Sequence, residues 1–375
     1  MGVRGTTAGR KIRVLIVDDS EVMRRILADH LARDGGIEVV GTAANPYVAR
    51  DMIPRLEPDV LTLDVQMPGM DGLTFLEKLM RARPMPVVMV SSFTREGCET
   101  TLRALELGAV DFVAKSERGS GGSDGLSELV AKIKVAAGAR PQSARAAEAG
   151  GEAWRASALG SVGPAGRQRL AAIGASTGGT QAIREILTAM PADGPPLVIV
   201  QHMPRRYTRS FAERCNSDSA IRVREAEDGD EVRPGQALIA PGDHQMRIDR
   251  EGPRCVVRVR PGPAVNGHRP SVDVLFLSVA ATVGPDAVGI LLTGMGADGA
   301  RGLLAMKRAG AETIAQDEAT SVVFGMPGEA IALGAADHVL PLPRIARKAL
   351  ELCTPPGLAA LGAARKAGVL DGVDG

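Results

Sequence analysis

Two groups of residues in this 375-residue chain have the types and spacing to do chemistry. The first is GASTGG, in which Gly174, Ser176 and Gly178 form G-x-S-x-G between an apolar run, RLAAIG, and a helical pattern, QAIREILTAM. This is the context of a nucleophile elbow. Glycines permit the tight turn, and the hydroxyl of Ser176 is held out at the carboxyl end of a strand. The helix start offers N–H groups and a positive dipole end, and Thr177, next in the chain, supplies an oxyanion-hole N–H. A serine nucleophile also needs a base and an acid that orients the base. Among five histidines, only His202 directly ends an apolar strand, LVIVQH, whereas His30 lies on a helix and His244, His268 and His338 fall in turns or after polar stretches. The same rule applied to VGILLTGMGADGA leaves one carboxylate, Asp298. The order Ser, His, Asp differs from the Ser, Asp, His order of α/β-hydrolases, so a different fold with convergent geometry is implied. Taken singly, GASTGG could cradle a phosphate, His202 could be a loop imidazole and Asp298 a helix cap. Agreement of three strand ends favours acyl transfer.

The second group also sits at strand ends. KIRVLIVDD closes on Asp18 and Asp19, DVLTLDV carries Asp64, PVVMVSS carries Ser91 and DFVAKS ends with Lys115. In an open parallel sheet, ligands bind beyond the carboxyl ends of strands where the strand order reverses. With the flavodoxin-like order 2-1-3-4-5, the first and third strands are neighbours there, and three carboxylates meet. Like charges so close raise one another's pKa unless a hard cation intervenes, and an oxygen-only cluster suits Mg²⁺ with several waters. With Lys115 taking up oxyanion charge, Asp64 could attack a phosphoryl donor and keep the group as an acyl phosphate, which Ser91 would sense by a hydrogen bond. Helix capping by Asp18 and Asp19, and a turn role for Asp64, would leave the matched strand ends unaccounted for.

These residues need two scaffolds. At roughly 150 residues per domain, the length favours two cores. Five strand–helix units to about Ala137 imply a flavodoxin-like (βα)5 domain, residues 1–138. An Ala-, Gly-, Ser- and Arg-rich stretch reads as a flexible linker, 139–166. A second, doubly wound parallel α/β domain spans 167–355, and 356–375 reads as a tail. Lys plus Arg is 45 against 44 Asp plus Glu, and aromatic residues are 2%, so neither a basic field nor a stacking platform invites nucleic acid. Four scattered cysteines offer no metal knuckle or disulfide framework, which fits a reducing cytoplasm, and no apolar run is long enough to insert in a membrane.

VDDS, DVQMPGMDG, VSS and DFVAKS resemble the receiver domain of two-component response regulators. The resemblance implies Asp64 as phosphoacceptor, Asp18, Asp19 and Asp64 as Mg²⁺ ligands, Ser91, Phe112 and Lys115 as switch residues, and a histidine kinase as phosphodonor. GASTGG, VQHMP, PSVDVLF and TGMGADG resemble the catalytic domain of the chemotaxis protein-glutamate methylesterase (CheB) family. That resemblance implies hydrolysis of glutamate methyl esters on methyl-accepting chemoreceptors, often with deamidation of receptor glutamines. It also implies Ser176 as nucleophile, His202 as base and acid, and Asp298 as orienting carboxylate, with Thr177 and Met295 shaping the oxyanion pocket and no cofactor for hydrolysis. HRPSVDVLF, with His268, Arg269, Ser271 and Asp273, matches a family motif without a derivable role, and Ser271 reads equally well as an N-cap. Two other classes compete with this reading: a phosphorylation-controlled binding module, which has no need of an elbow, and a DNA-binding output, for which the chain lacks basic surface and a helix-turn-helix pattern.

Overall fold

The structure, a computed structural model, describes residues 10–91, 95–115, 124–139 and 169–354. The chain divides into two compact units, Met1–Ala147 and Glu148–Gly375. Most of the expected linker, 140–166, and the tail, 356–375, lie outside the described residues.

The first unit alternates β1 (Ile12–Val17), α1 (Glu21–Leu31), β2 (Ile37–Ala43), α2 (Pro46–Leu56), β3 (Val60–Asp64), α3 (Gly72–Ala82), β4 (Val87–Ser91), α4 (Arg95–Glu106), β5 (Asp111–Ala114) and α5 (Asp124–Gly138). The sheet is parallel with order β2-β1-β3-β4-β5, as the sequence pattern predicts. Every residue of β3 and β4 is buried, the mark of a sheet covered by helices on both faces. Ser20, Asn45 and Asp71 cap α1, α2 and α3 by accepting from Met23, Val48 and Thr74 N–H groups. Asp18 and Asp19 are therefore not the cap of α1.

The second unit comprises β6 (Leu170–Ala175), α6 (Gly179–Thr188), β7 (Leu197–Gln201), α7 (Arg205–Asp218), β8 (Arg222–Glu225), β9 (Gln236–Ile239), β10 (Gln245–Glu251), β11 (Arg254–Arg260), α8 (Val272–Thr282), β12 (Ala287–Leu291), α9 (Ala300–Arg308), β13 (Glu312–Gln316), α10 (Met326–Ala332), β14 (His338–Leu340) and α11 (Leu342–Cys353). Its seven-stranded sheet has the order β14-β13-β12-β6-β7-β9-β8, and every pairing is parallel. From β6 the chain builds outward through β7 to β8 and β9, then returns to the other side of β6 to add β12, β13 and β14. The order thus reverses between β6 and β12, the place where such folds bind ligands.

Two segments differ from expectation. QALIAPGDHQMRID, which reads as one strand-like run, is β9 of the main sheet and β10 of a separate antiparallel hairpin with β11. His338 opens β14, an edge strand too short and too exposed to show period-2 alternation. The core gathers Val272, Leu275 and Phe276 of α8 with Leu291, Leu303 and Met306, all fully buried.

Candidate active site and phosphorylation site

β6 and β7 pair in register, Ala175 opposite Gln201, so Ser176 and His202 are the next residues on adjacent strands. The Ser176 N–H donates to the Thr293 carbonyl at 3.0 Å, tying the elbow to the chain just beyond β12. The buried Gln201 amide donates from Nε2 to the carbonyls of both Ser176 (2.9 Å) and His202 (3.2 Å). Gly178 takes φ +79°, and a Cβ there would stand 2.6 Å from Val322, so the turn requires glycine twice over. Gly294 also has no room: a Cβ would meet Met326 Sδ at 2.3 Å and Ser176 Cβ at 2.8 Å.

His202 Nε2 lies 2.8 Å from Asp298 Oδ2. Asp298, 2% exposed, receives far more than the imidazole. Its Oδ1 accepts from Asn266 Nδ2 (2.7 Å) and Ser271 Oγ (2.8 Å), and its Oδ2 from the Val272 N–H (2.6 Å). The carboxylate is thus seated on the amino terminus of α8, whose N-cap is Ser271. Burial pushes its pKa up, but the hydrogen bonds and charge of His202, with those from Asn266 and Ser271, outweigh burial and hold it well below the ordinary carboxylate range. An ionised carboxylate only accepts, so in this ring orientation Nε2 carries the proton and Nδ1 keeps its lone pair. Nδ1 is buried and has no hydrogen-bond partner among the described residues. His268 stacks on His202 with ring centroids 3.7 Å apart and planes 10° from parallel. Thr177 is buried with its carbonyl accepting from Thr293 Oγ1 at 3.0 Å, while Met295 is exposed on the loop after β12.

In the first unit, Asp18, Asp19 and Asp64 each offer an oxygen, all within 4.8 Å of one another. Asp18 and Asp64 are buried, whereas Asp19 is exposed. Lys115 Nζ reaches from the end of β5 to Asp18 Oδ2 (2.9 Å) and Asp64 Oδ2 (2.8 Å). Burial raises the Asp64 pKa above its ordinary value, against the pull of Lys115. An all-oxygen donor set with one side open to solvent suits a hydrated Mg²⁺. A Cβ on Gly72 would stand 2.1 Å from the Asp64 carbonyl oxygen, so the loop after β3 closes tightly on glycine. Ser91 is buried, and Thr101 Oγ1 lies 2.8 Å from its hydroxyl. Phe112 is also buried, and Lys132 Nζ sits 5.0 Å above its ring.

The family model of the CheB methylesterase matches residues 171–349, and that of the response regulator receiver domain matches residues 14–120. A protein-glutamate methylesterase/protein-glutamine glutaminase 1 of Xanthomonas euvesicatoria pv. vesicatoria is 54% identical over 347 residues, covering 91% of this chain and 97% of that one. The chain belongs to the CheB methylesterase family. A second relative, the protein-glutamate methylesterase/protein-glutamine glutaminase of Bordetella parapertussis, is 55% identical with the same coverage. The catalytic domain of Thermotoga maritima CheB methylesterase is similar over 49% of this chain and 98% of its own, at 40% identity and a TM-score of 0.48.

Within this CheB-family chain, the structure brings Ser176, His202 and Asp298 to adjoining ends of β6, β7 and β12, and Asp18, Asp19, Asp64 and Lys115 to one pocket. Sequence reasoning did not find Asn266 or the stacking of His268. Both lie in a short turn closed by reciprocal Val265–His268 backbone hydrogen bonds, where no strand end or helical period singles them out. Their one signal was NGHRP standing directly before the N-cap Ser271. Ser271, readable either as a cap or as a motif residue, is both: it caps α8 and donates to Asp298. Among the described residues no helix is long and apolar enough to cross a membrane.

Proposed function

We propose that this chain is a phosphorylation-controlled serine hydrolase that demethylates glutamate γ-methyl esters on methyl-accepting chemoreceptors and deamidates receptor glutamines at the same site. Residues 1–138 act as receiver and 167–355 as catalytic domain. The observation that carries the reading is the Asp298 carboxylate, fixed on the α8 amino terminus and bonded to His202 at 2.8 Å, one strand over from Ser176.

Ser176 Oγ attacks the γ-carbonyl carbon while His202 Nδ1 takes its proton. Asp298 stabilises the imidazolium, and N–H groups of the elbow, with Thr177 and Met295 at its edge, stabilise the oxyanion. The C–O bond to the methoxy group breaks, and Nδ1 returns the proton so that methanol leaves; with a glutamine, the C–N bond breaks and ammonia leaves. Water then attacks the acyl-enzyme and gives its proton to Nδ1; the bond from the acyl carbon to Ser176 Oγ breaks, Nδ1 returns the proton to Oγ, and a glutamate carboxylate leaves.

Control enters at Asp64, which accepts the phosphoryl group of a histidine kinase. Asp18, Asp19 and Asp64 would hold a Mg²⁺ ion, which would supply charge neutralisation for that transfer. Lys115 then takes up phosphoryl oxygen charge, and Ser91 and Phe112 relay the added charge of about −1.5 to −2. Four free thiols fit work in a reducing cytoplasm.

Methanol release from methylated chemoreceptor fragments, with and without acetyl phosphate, tests this reading. Wild type should release methanol faster with the phosphodonor, and Ser176→Ala should still be phosphorylated but release none. Turnover retained in Ser176→Ala would overturn the nucleophile assignment, and no release from several receptors would point to a binding module.

A further inference from the structure

All seven strands of the second sheet run parallel, so each helix that directly follows a strand starts on the face that carries Ser176, His202 and Asp298. Helix first turns favour carboxylates and disfavour cations. Three helices on this face do the reverse. Arg205 and Arg206 open α7, Arg301 is the second residue of α9 and Arg344 the third of α11, and none of these helices has an acid in its first turn. All four arginines are exposed. Arg205 lies three residues after His202 and Arg301 three after Asp298. Chain geometry alone therefore keeps each Cα within about 11 Å of the neighbouring triad Cα. The guanidinium groups of Arg205 and Arg301 have no ion-pair or hydrogen-bond partner among the described residues. Exposed carboxylates stand beyond the flanking strands β9 and β13, as Asp243 and Glu318, and in the first turn of α10, as Glu329, whereas the first exposed charged side chains after β7 and β12 are Arg205 and Arg301.

Arg205 and Arg301, set against helix dipoles and left unpaired, break a local rule without gain to the fold, as functional surfaces do. We infer that this cationic rim docks an acidic stretch of the substrate around the scissile ester. The inference rests on the proposed esterase reading, whose chemistry supplies the complementary charge: each turnover converts a neutral ester into a carboxylate. A substrate with several such sites becomes more acidic around every ester that remains, so the rim holds partly processed substrate better than fully esterified substrate.

Two synthetic peptides test this, each with one glutamate γ-methyl ester, flanked by glutamates in one and by serines in the other. With the full, acetyl-phosphate-treated chain, kcat/KM should favour the acidic peptide by about fivefold or more at low salt and lose that preference between about 0.05 and about 0.5 M KCl. The double variant Arg205→Glu, Arg301→Glu should reverse the preference; because the readout is a ratio within one protein, a general loss of activity does not imitate it. Equal hydrolysis of both peptides at low salt would overturn the rim as a docking surface. So would salt that accelerates the neutral peptide, which would give the rim to the chain's own N-terminal unit. Failure to hydrolyse either peptide would instead overturn the esterase reading beneath it.

Discussion

Replacing Asp298 by Asn tests the candidate triad at its most heavily bonded member. In wild type the carboxylate receives His202 Nε2, Asn266 Nδ2, Ser271 Oγ and the Val272 N–H, all at 2.8 Å or less. An amide offers one acceptor oxygen and turns its NH₂ toward donors, so the imidazole loses both its charge partner and its fixed tautomer. A carboxylate and an imidazolium about 4 Å apart at an effective dielectric of about 20 attract by about 4 kcal/mol, or about three decades in rate. Loss of the correct tautomer brings the expected fall in kcat/KM to between about 10³ and about 10⁴. The assay is methanol release from a methylated receptor fragment with acetyl phosphate present, read against thermal unfolding of the same protein. A second readout carries its own sign. The folded pKa of Asp298 is depressed, so its contribution to stability is present above the ordinary carboxylate range and is lost as pH falls through that range toward the folded value. Asp298→Asn should flatten that part of the acid-unfolding curve. A loss of activity smaller than about tenfold in a folded variant would refute the assignment of Asp298 as the orienting acid.

Two further outcomes are expected. His268→Ala removes the ring stacked on His202, a contact of about 0.5–1.5 kcal/mol, and should lower kcat by about two- to twelvefold with KM little changed; stopped assays across substrate concentration check this. Asp64→Asn should abolish incorporation from radiolabelled acetyl phosphate and raise the melting temperature of the N-terminal unit at neutral pH. Burial raises the Asp64 pKa, so its ionised form is disfavoured in the fold; the gain should vanish as pH drops below the ordinary carboxylate range.

What could be read in the sequence was whatever sits at a strand end. Strands buried on both faces appear as continuous apolar runs, and such runs placed Asp18, Asp64, Ser91, Ser176 and His202 correctly at carboxyl ends. Lys115 and Asp298 lie one and seven residues past their strands, still within the loops those runs define. The order of the first sheet followed from the same pattern. What was hidden depends on contacts between distant segments. Asn266 reaches Asp298 across 32 positions and Ser271 across 27, and neither distance leaves a periodic trace. The split of Gln236–Ile239 from Gln245–Glu251 was hidden for a related reason, since alternation shows that a segment is extended but not which sheet it joins.

The turn joined by Val265 and His268 has a consequence for how such an active site can fail. One residue of that turn grips the acid and another is stacked on the base, so displacing the turn would withdraw both supports together. Activity should then respond to strain there as a threshold and not as a slope: small distortions leave both members aligned, and a larger one disarms the pair in a single event. A hydrolase that must stay silent between signals gains from this coupling, because a turn that yielded gradually would leave a partly aligned pair with residual turnover.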